Sequence, residues 1–322
     1  MGKIKKLEVI FNERAGNGQS KSTWKKIEQF LIKNDINFEL HKTQHDGDGV
    51  RIAKELSNTQ TPDSRILVIG GDGTLNQSLN GVLVSNRPET ALGYIPSGSG
   101  NDFSRGINIK KQKPLILLQR MLAMDEPVDI DIAKATNQTN GEQKYFVNNI
   151  GMGFDASAVY YTNHSKRKDV LNSLKMGTLA YVTSLVKVIK LQGGFPIDVK
   201  YGDKIKHFDD AYIVTATNHP YFGGGIAIDP KAQPFDHKLD LVVVRKITGL
   251  TFVKLFVKLL SNGSHLNDPN VWYIQQPEFS VNIHQSEQGQ MDGEELNKHE
   301  FDFDFKSIQH KFWIPININE HK

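Results

Sequence analysis

The stretch Ile66-Leu67-Val68-Ile69-Gly70-Gly71-Asp72-Gly73-Thr74-Leu75-Asn76-Gln77 constrains this chain more than any other. It reads as an apolar strand that breaks into a glycine turn and re-emerges as a helix. Glycines flanking Asp72 permit positive φ and close approach of backbone to a ligand, while the N–H groups opening the helix attract anions. An aspartate aimed straight at phosphate would repel it. Asp72 therefore makes sense with a divalent cation, or its waters, between the two. The alternative is a plain βα turn in which Asp72 is structural, but strand, Gly-Gly-Asp-Gly-Thr and helix together favour nucleotide binding.

The same alternation of strand and helix surrounds this unit. Leu7 to Phe11 reads as a buried strand, followed by the turn Asn12-Glu13-Arg14-Ala15-Gly16-Asn17-Gly18 and a helix with Trp24, Ile27, Phe30 and Leu31 on one face. A strand at 37–41, a helix at 50–56, a helix at 74–84 and a strand at 91–95 extend it. This predicts a mostly parallel sheet covered by helices over residues 1–127, with three glycine-bearing loops leaving the strand carboxyl ends where ligands gather. The third loop, Pro96-Ser97-Gly98-Ser99-Gly100-Asn101-Asp102-Phe103, mixes hydroxyls, an amide and a carboxylate suited to phosphate and a hydrated cation.

Beyond Pro127 the texture becomes strand-like, predicting a β-rich domain over 128–307 with strands at 128–133, 145–149, 197–201, 211–217, 239–244 and 279–283. Glu300 to Phe305 alternates strictly and reads as a half-buried strand. Helical patterns occupy 174–191 and 250–260, the latter read as packed on the core. The segment 308–322 contains Phe312-Trp313-Ile314-Pro315-Ile316, too apolar for a free tail, and is expected to dock back on the first domain.

Composition narrows the function classes. The formal charge of the 322 residues is +3, too small to imply a nucleic-acid partner, and none is expected; the absence of cysteine removes disulfides and thiolate zinc sites. With no signal-peptide core and no long apolar run, the expected location is the cytoplasm.

Five motifs in order resemble the diacylglycerol kinase catalytic-domain family, and most closely its soluble bacterial lipid kinases. They are Gly70 to Thr74, Pro96 to Phe103, Phe146-Val147-Asn148-Asn149-Ile150-Gly151-Met152-Gly153-Phe154-Asp155-Ala156, Phe222-Gly223-Gly224-Gly225 with Pro230 and Ala232, and Met291-Asp292-Gly293-Glu294. The resemblance implies a phosphofructokinase-like α/β domain, a C-terminal β-sandwich, a nucleotide site in the cleft between them, and ATP- and Mg2+-dependent phosphorylation of a lipid hydroxyl, diacylglycerol above all. It implies Asp292 as the base, with Asp72, Asp102 and Glu294 organising Mg2+. The nucleotide would meet Asn12, Thr43, Gly70, Gly71, Gly73, Thr74, Asn76, Ser97, Gly98, Ser99 and Asn101. NAD kinases and phosphofructokinases, with soluble substrates, and a non-catalytic nucleotide- or lipid-sensing module are the alternative readings.

Three positions depart from the family pattern. Glu13 replaces a proline, Ser99 a threonine, and Asp236-His237 stands where an Asp-Gly pair helps hold a structural magnesium, so Asp236 is a candidate ligand in a changed loop. A membrane-lipid acceptor implies transient visits to the membrane surface, for which Lys166-Arg167-Lys168 is a candidate contact with anionic lipid. An exposed sheet edge could pair two copies into a homodimer.

Overall fold

The computed structural model describes residues 4–154, 156–157 and 193–316. The 174–191 helix and the Lys166-Arg167-Lys168 cluster lie outside the described residues. Strands β1 (Lys6–Phe11), β2 (Phe38–Lys42), β3 (Ser64–Gly70) and β4 (Leu92–Pro96) form a parallel sheet in the order β2-β1-β3-β4. Side chains alternate across it. Leu7, Val9, Leu67, Ile69 and Ile95 pack against helices α1 (Gln19–Lys33) and α5 (Pro114–Leu122), whereas Ile10, Ile66, Val68 and Leu92 meet α2 (Asp48–Thr59) and α3 (Asp72–Leu83). With both faces covered, every residue of β3 is buried, which explains its unbroken apolar run. The short α4 (Asp102–Gly106) follows β4. Helix α3 begins two residues before the expected Thr74, so Asp72 and Gly73 form its first turn.

The second part is a β-sandwich-like domain. It contains β5 (Val128–Asn137), β6 (Gln143–Phe146), β7 (Asn149–Gly153), β8 (Phe195–Tyr201), β9 (Lys204–Thr217), β10 (Tyr221–Phe222), β11 (Ile226–Ala227) and β12 (Leu239–Arg245). After α6 (Gly249–Ser261) come β13 (Val271–Gln276), β14 (Glu278–Ile283), β15 (Glu287–Met291), β16 (Glu294–His299) and β17 (Asp302–Trp313). Phe146, Phe195, Phe208, Phe279 and Phe305 dominate the core. The expected strand at 145–149 is two strands: the backbone N–H groups of Val147, Asn148 and Asn149 bond the Asp292 carboxylate, and this breaks the ladder between β6 and β7.

The alternating strand expected at 300–305 is the start of a longer one. In β17 the odd-numbered Phe303 and Phe305 enter the sandwich core, while the even-numbered Phe312 enters the α/β core together with Ile314 just beyond. Its partner β5 behaves alike: Ala133 and Ala135 face one core, Ile130 and Ile132 the other. One antiparallel ribbon thus serves both domains by burying opposite faces at its two ends. Residues 308–313 are the end of β17, with Phe312 and Trp313 paired in parallel to Leu92 and Gly93 of β4. The Arg65 guanidinium secures this junction. It lies 3.5 Å over the Trp313 ring and donates to the carbonyls of Met121 and Met124 at the end of α5.

Helix α6 packs on the core as expected, but with one face only. Phe252 and Leu255 are buried, but Leu250, Val257 and Leu260 are exposed. No helix among the described residues is long and apolar enough to cross a membrane.

Candidate active site

The carboxyl ends of β1 to β4 all open on the same side, into a cleft of about 560 Å³. Asn12 and Thr43 line it from the first two strands, Gly71, Gly73 and Thr74 from the third, Gly98 and Ser99 from the fourth, and Glu294 from the sandwich domain. The loops meet through glycines. A Cβ on Gly98 would lie 2.5 Å from the Gly71 Cα, so no side chain fits between the two turns. Asn12 Nδ2 donates to Thr74 Oγ1 at 3.0 Å and its Oδ1 accepts the Arg14 N–H, which holds the first loop against the opening of α3. A Cβ on Gly73 would sit 2.9 Å from Glu294 Oε1, so Glu294 closes the cleft over the start of that helix. Burial raises the Glu294 carboxyl, and the charges of Asp46 and Glu295 add to the shift.

Sequence reasoning missed Arg14, Ala15, Gly16, Gln44, His45, Asp46 and Gln77, all of which line the same cleft. Arg14 is the one guanidinium in the lining. A signal existed at Gly16, whose φ of 62° marks a turn only glycine adopts easily, and it points to the whole Asn12–Gly18 loop rather than to Asn12 alone.

Behind the glycine turns lies a second group. Asp72 Oδ2 and Oδ1 accept the N–H groups of Asp102 and Phe103 at 3.0 and 3.2 Å, so the carboxylate caps α4. Asp102 Oδ2 in turn accepts the Gly224 N–H at 2.7 Å. The two carboxylates converge on Gly100, where an added Cβ would lie 3.4 Å from Asp72 Oδ2 and 3.8 Å from Asp102 Oδ2. Arg105 donates to Asp102 and to the Gly224 carbonyl, and Lys110 Nζ to the Gly100 carbonyl. Burial pushes the Asp72 carboxyl up to about 6, with a further push from the Asp102 charge. Deeper in, His219 is fully buried. Its Nδ1 accepts the Tyr221 N–H and its Nε2 faces Asn148 Oδ1 at 2.6 Å, the arrangement of a neutral ring, and burial lowers it to about 3.

Other expected site residues sit elsewhere. Asp292 is buried and accepts four donors: Val147 N, Asn148 N, Asn149 N and Asn76 Nδ2. Burial pushes it up to about 7 against those donors, which favour the charged form. It does not line the cleft, and neither does Asn76, whose amide also reaches the Tyr145 carbonyl. The two residues join the domains. Ser97 turns its hydroxyl inward to Ser20 Oγ at 3.0 Å. Gly70 is packed against the Thr74 side chain, and Asn101 bonds the Gly98 N–H and carbonyl within its own loop.

The oxygen donors of the site fit a hard divalent cation such as Mg2+, which takes one or two carboxylates and completes its shell with phosphate and water. They do not form a closed cage. Asp72 and Asp102 converge on Gly100 while Glu294 stands over Gly73, so the expected trio is divided between two places. Among the described residues the one cluster of three close ligands is Glu8, Glu39 and His41, and there Lys6 Nζ bonds both glutamates. Asp236 spends its oxygens on the Lys238 N–H and Gln275 Nε2. His237 adopts the left-handed conformation a glycine would take, with φ of 61°, and its N–H and Nδ1 both engage buried Asp131.

Comparison with known proteins bears on this arrangement. The diacylglycerol kinase catalytic domain model matches residues 6–135, and the YegS C-terminal NAD kinase beta sandwich-like domain model matches residues 148–305. The chain belongs to the diacylglycerol kinase catalytic-domain family. Among relatives of this family, the provisionally named lipid kinase YtlR of Bacillus subtilis (strain 168) is 29% identical, over 80% of this chain and 82% of its own. A diacylglycerol kinase of the same organism is 28% identical over 90% of both chains. The crystal structure of a provisionally named diacylglycerol kinase from Bacillus anthracis str. Sterne superposes with a TM-score of 0.74 at 22% identity, over 97% of this chain and 96% of that one, and shows the common fold. As a member of the diacylglycerol kinase family the protein is a lipid kinase, and the cleft is its candidate nucleotide site.

Proposed function

We propose that the protein transfers the γ-phosphate of ATP to the free hydroxyl of diacylglycerol, giving phosphatidic acid and ADP. The observation that carries this reading is the back-to-back contact of the Gly71 and Gly98 turns, with a cleft on one side and the Asp72–Asp102 pair on the other. Exposed backbone N–H groups at the opening of α3, together with Arg14, suit the phosphate chain in the cleft. The acceptor is supported by the names of the relatives, diacylglycerol kinases among them.

In the transfer the acceptor oxygen attacks the γ-phosphorus, the bond from that phosphorus to the ADP oxygen breaks, and ADP leaves with the electron pair. The hydroxyl proton goes to Asp72. A base needs a lone pair left for the proton: Asp72, raised to about 6 by burial, accepts the N–H groups of Asp102 and Phe103, whereas Asp292 already accepts four donors. Arg105 and Lys110 lie beside the carboxylate pair and offset its charge. Glu294, with Asp46, and Asp102 would hold Mg2+ jointly with the phosphates. When bound, Mg2+ neutralises charge that develops on the phosphate oxygens.

The test is incubation with γ-labelled ATP, Mg2+ and mixed micelles carrying diacylglycerol, a sphingoid base or a polyprenol, beside NAD and a sugar phosphate in solution. Label on diacylglycerol is the expected result. Label on NAD or the sugar phosphate alone overturns the lipid acceptor, and label nowhere overturns the transfer.

A further inference from the structure

A kinase whose acceptor stays in a bilayer needs a face that meets the bilayer, and α6 has the chemistry of one. Leu250, Val253, Val257 and Leu260 follow one another at helical spacing and form one stripe. On that stripe Leu250 is 80% exposed, Val257 58% and Leu260 42%, while the opposite side of the helix buries Phe252 and Leu255. An apolar stripe of this kind on the outside of a folded domain marks a contact surface.

The charge around the stripe has one sign. From Arg245 to Ser261 the sequence carries Arg245, Lys246, Lys254 and Lys258 and no aspartate or glutamate. Lys258 is paired with Asp268. Among the described residues Lys246 and Lys254 have no ion-pair partner, and both are exposed. Apolar side chains flanked by free lysines suit the boundary between acyl chains and anionic headgroups.

The position of the helix joins this face to the site. α6 packs against β11, and just beyond its end His265 Nε2 bonds the Ile228 carbonyl at 2.8 Å. β11 is the outgoing arm of the β10–β11 hairpin, and the tip of that hairpin is held by Asp102 and Arg105 through Gly224. A single short hairpin therefore connects the apolar stripe with the carboxylate pair.

We propose that the outer face of α6 docks the protein on an anionic lipid bilayer, with Leu250, Val257 and Leu260 entering the interface and Lys246 and Lys254 meeting the headgroups. The need for such a face rests on the lipid acceptor argued above, whereas the binding itself is read without catalysis.

The test is sedimentation of the full chain with phosphatidylcholine vesicles, with and without phosphatidylglycerol. The chain has no cysteine, so an environment-sensitive dye on a Val257→Cys variant reports the stripe alone. Expected are binding to anionic vesicles that weakens with salt and a blue shift of the dye on their addition. The Leu250→Glu/Val257→Glu variant should lose at least about tenfold in vesicle affinity, and Lys246→Gln/Lys254→Gln about tenfold on anionic vesicles alone. Both should phosphorylate a short-chain acceptor in free solution as the wild type does. Wild-type protein that ignores vesicles, glutamate variants that bind them equally, or a dye shift that follows protein concentration without lipid, the mark of a second copy on this face, each overturns the proposal. Vesicle binding without phosphorylation of any acceptor supports the docking face and overturns the kinase reading.

Discussion

Asn76 Nδ2 lies 2.8 Å from Asp292 Oδ2, a hydrogen bond between residues 216 apart in sequence that ties the first helix of the nucleotide turn to the sandwich domain. The same carboxylate takes the N–H groups of Val147, Asn148 and Asn149. Asp292 is thereby a clamp across the junction, and the helix that opens the cleft is fixed relative to Glu294 two residues farther on.

Removing this clamp should cost stability. Asn76→Ala takes one donor from the buried Asp292 carboxylate and leaves the Tyr145 carbonyl with Asn80 Nδ2 alone, a loss of about 2 kcal/mol. Thermal unfolding should fall by about 3 °C in a protein of this size. An unchanged melting temperature would show that the bond contributes nothing.

At the glycine contact, Gly98→Ala should abolish measurable nucleotide binding, because its Cβ would fall 2.5 Å from the Gly71 Cα. Gly249→Ala, where an added Cβ meets nothing within 4 Å, is the control. Titration of a fluorescent ATP analogue distinguishes the two. Equal affinity in both would refute the requirement for close backbone approach.

Stability should also depend on pH through a pair outside the site. Asp229 and Asp240 are fully buried and hydrogen-bonded to one another; burial raises both carboxyls well above the ordinary range, and the Asp229 charge adds to the rise at Asp240. The folded state then holds protons that the unfolded chain releases near pH 4, so this pair makes stability fall as pH rises toward neutrality. Asp240→Asn should flatten the decline in melting temperature between about pH 5 and about pH 8. A decline as steep as in the wild type would contradict this.

Much of the cleft lining was legible in the sequence, because glycine turns after apolar strands encode both a backbone conformation and a position at the strand ends. Gly71, Gly73, Thr74, Gly98 and Ser99 needed only that local pattern. Arg14, His45 and Asp46 did not announce themselves, since their convergence depends on the register of β1 with β2 and β3. The placement of Asp292 and Ser97 was illegible for a related reason: a hydrogen bond to Asn76 or Ser20 leaves no periodic trace at either residue. The ribbon of β5 and β17 escaped because each strand changes its buried face midway, which alternation alone reads as an end.

Glu294 offers a test of the metal arrangement. Glu294→Gln keeps the shape over Gly73 and removes the charge, so the Mg2+ concentration for half-maximal turnover should rise about tenfold, the change expected for one lost carboxylate interaction of about 1.4 kcal/mol. An unaltered Mg2+ dependence would place the ion elsewhere.

The most direct measurement is turnover set beside ATP affinity in Asp72→Asn and Asp292→Asn. The account predicts that Asp72→Asn binds ATP as the wild type does and loses about a hundredfold or more in turnover, while in wild-type protein turnover falls as pH drops through about 6. Asp292→Asn should show its main effect as a lowered melting temperature. Turnover retained in Asp72→Asn, with turnover lost and melting temperature unchanged in Asp292→Asn, would contradict it and return the base to Asp292.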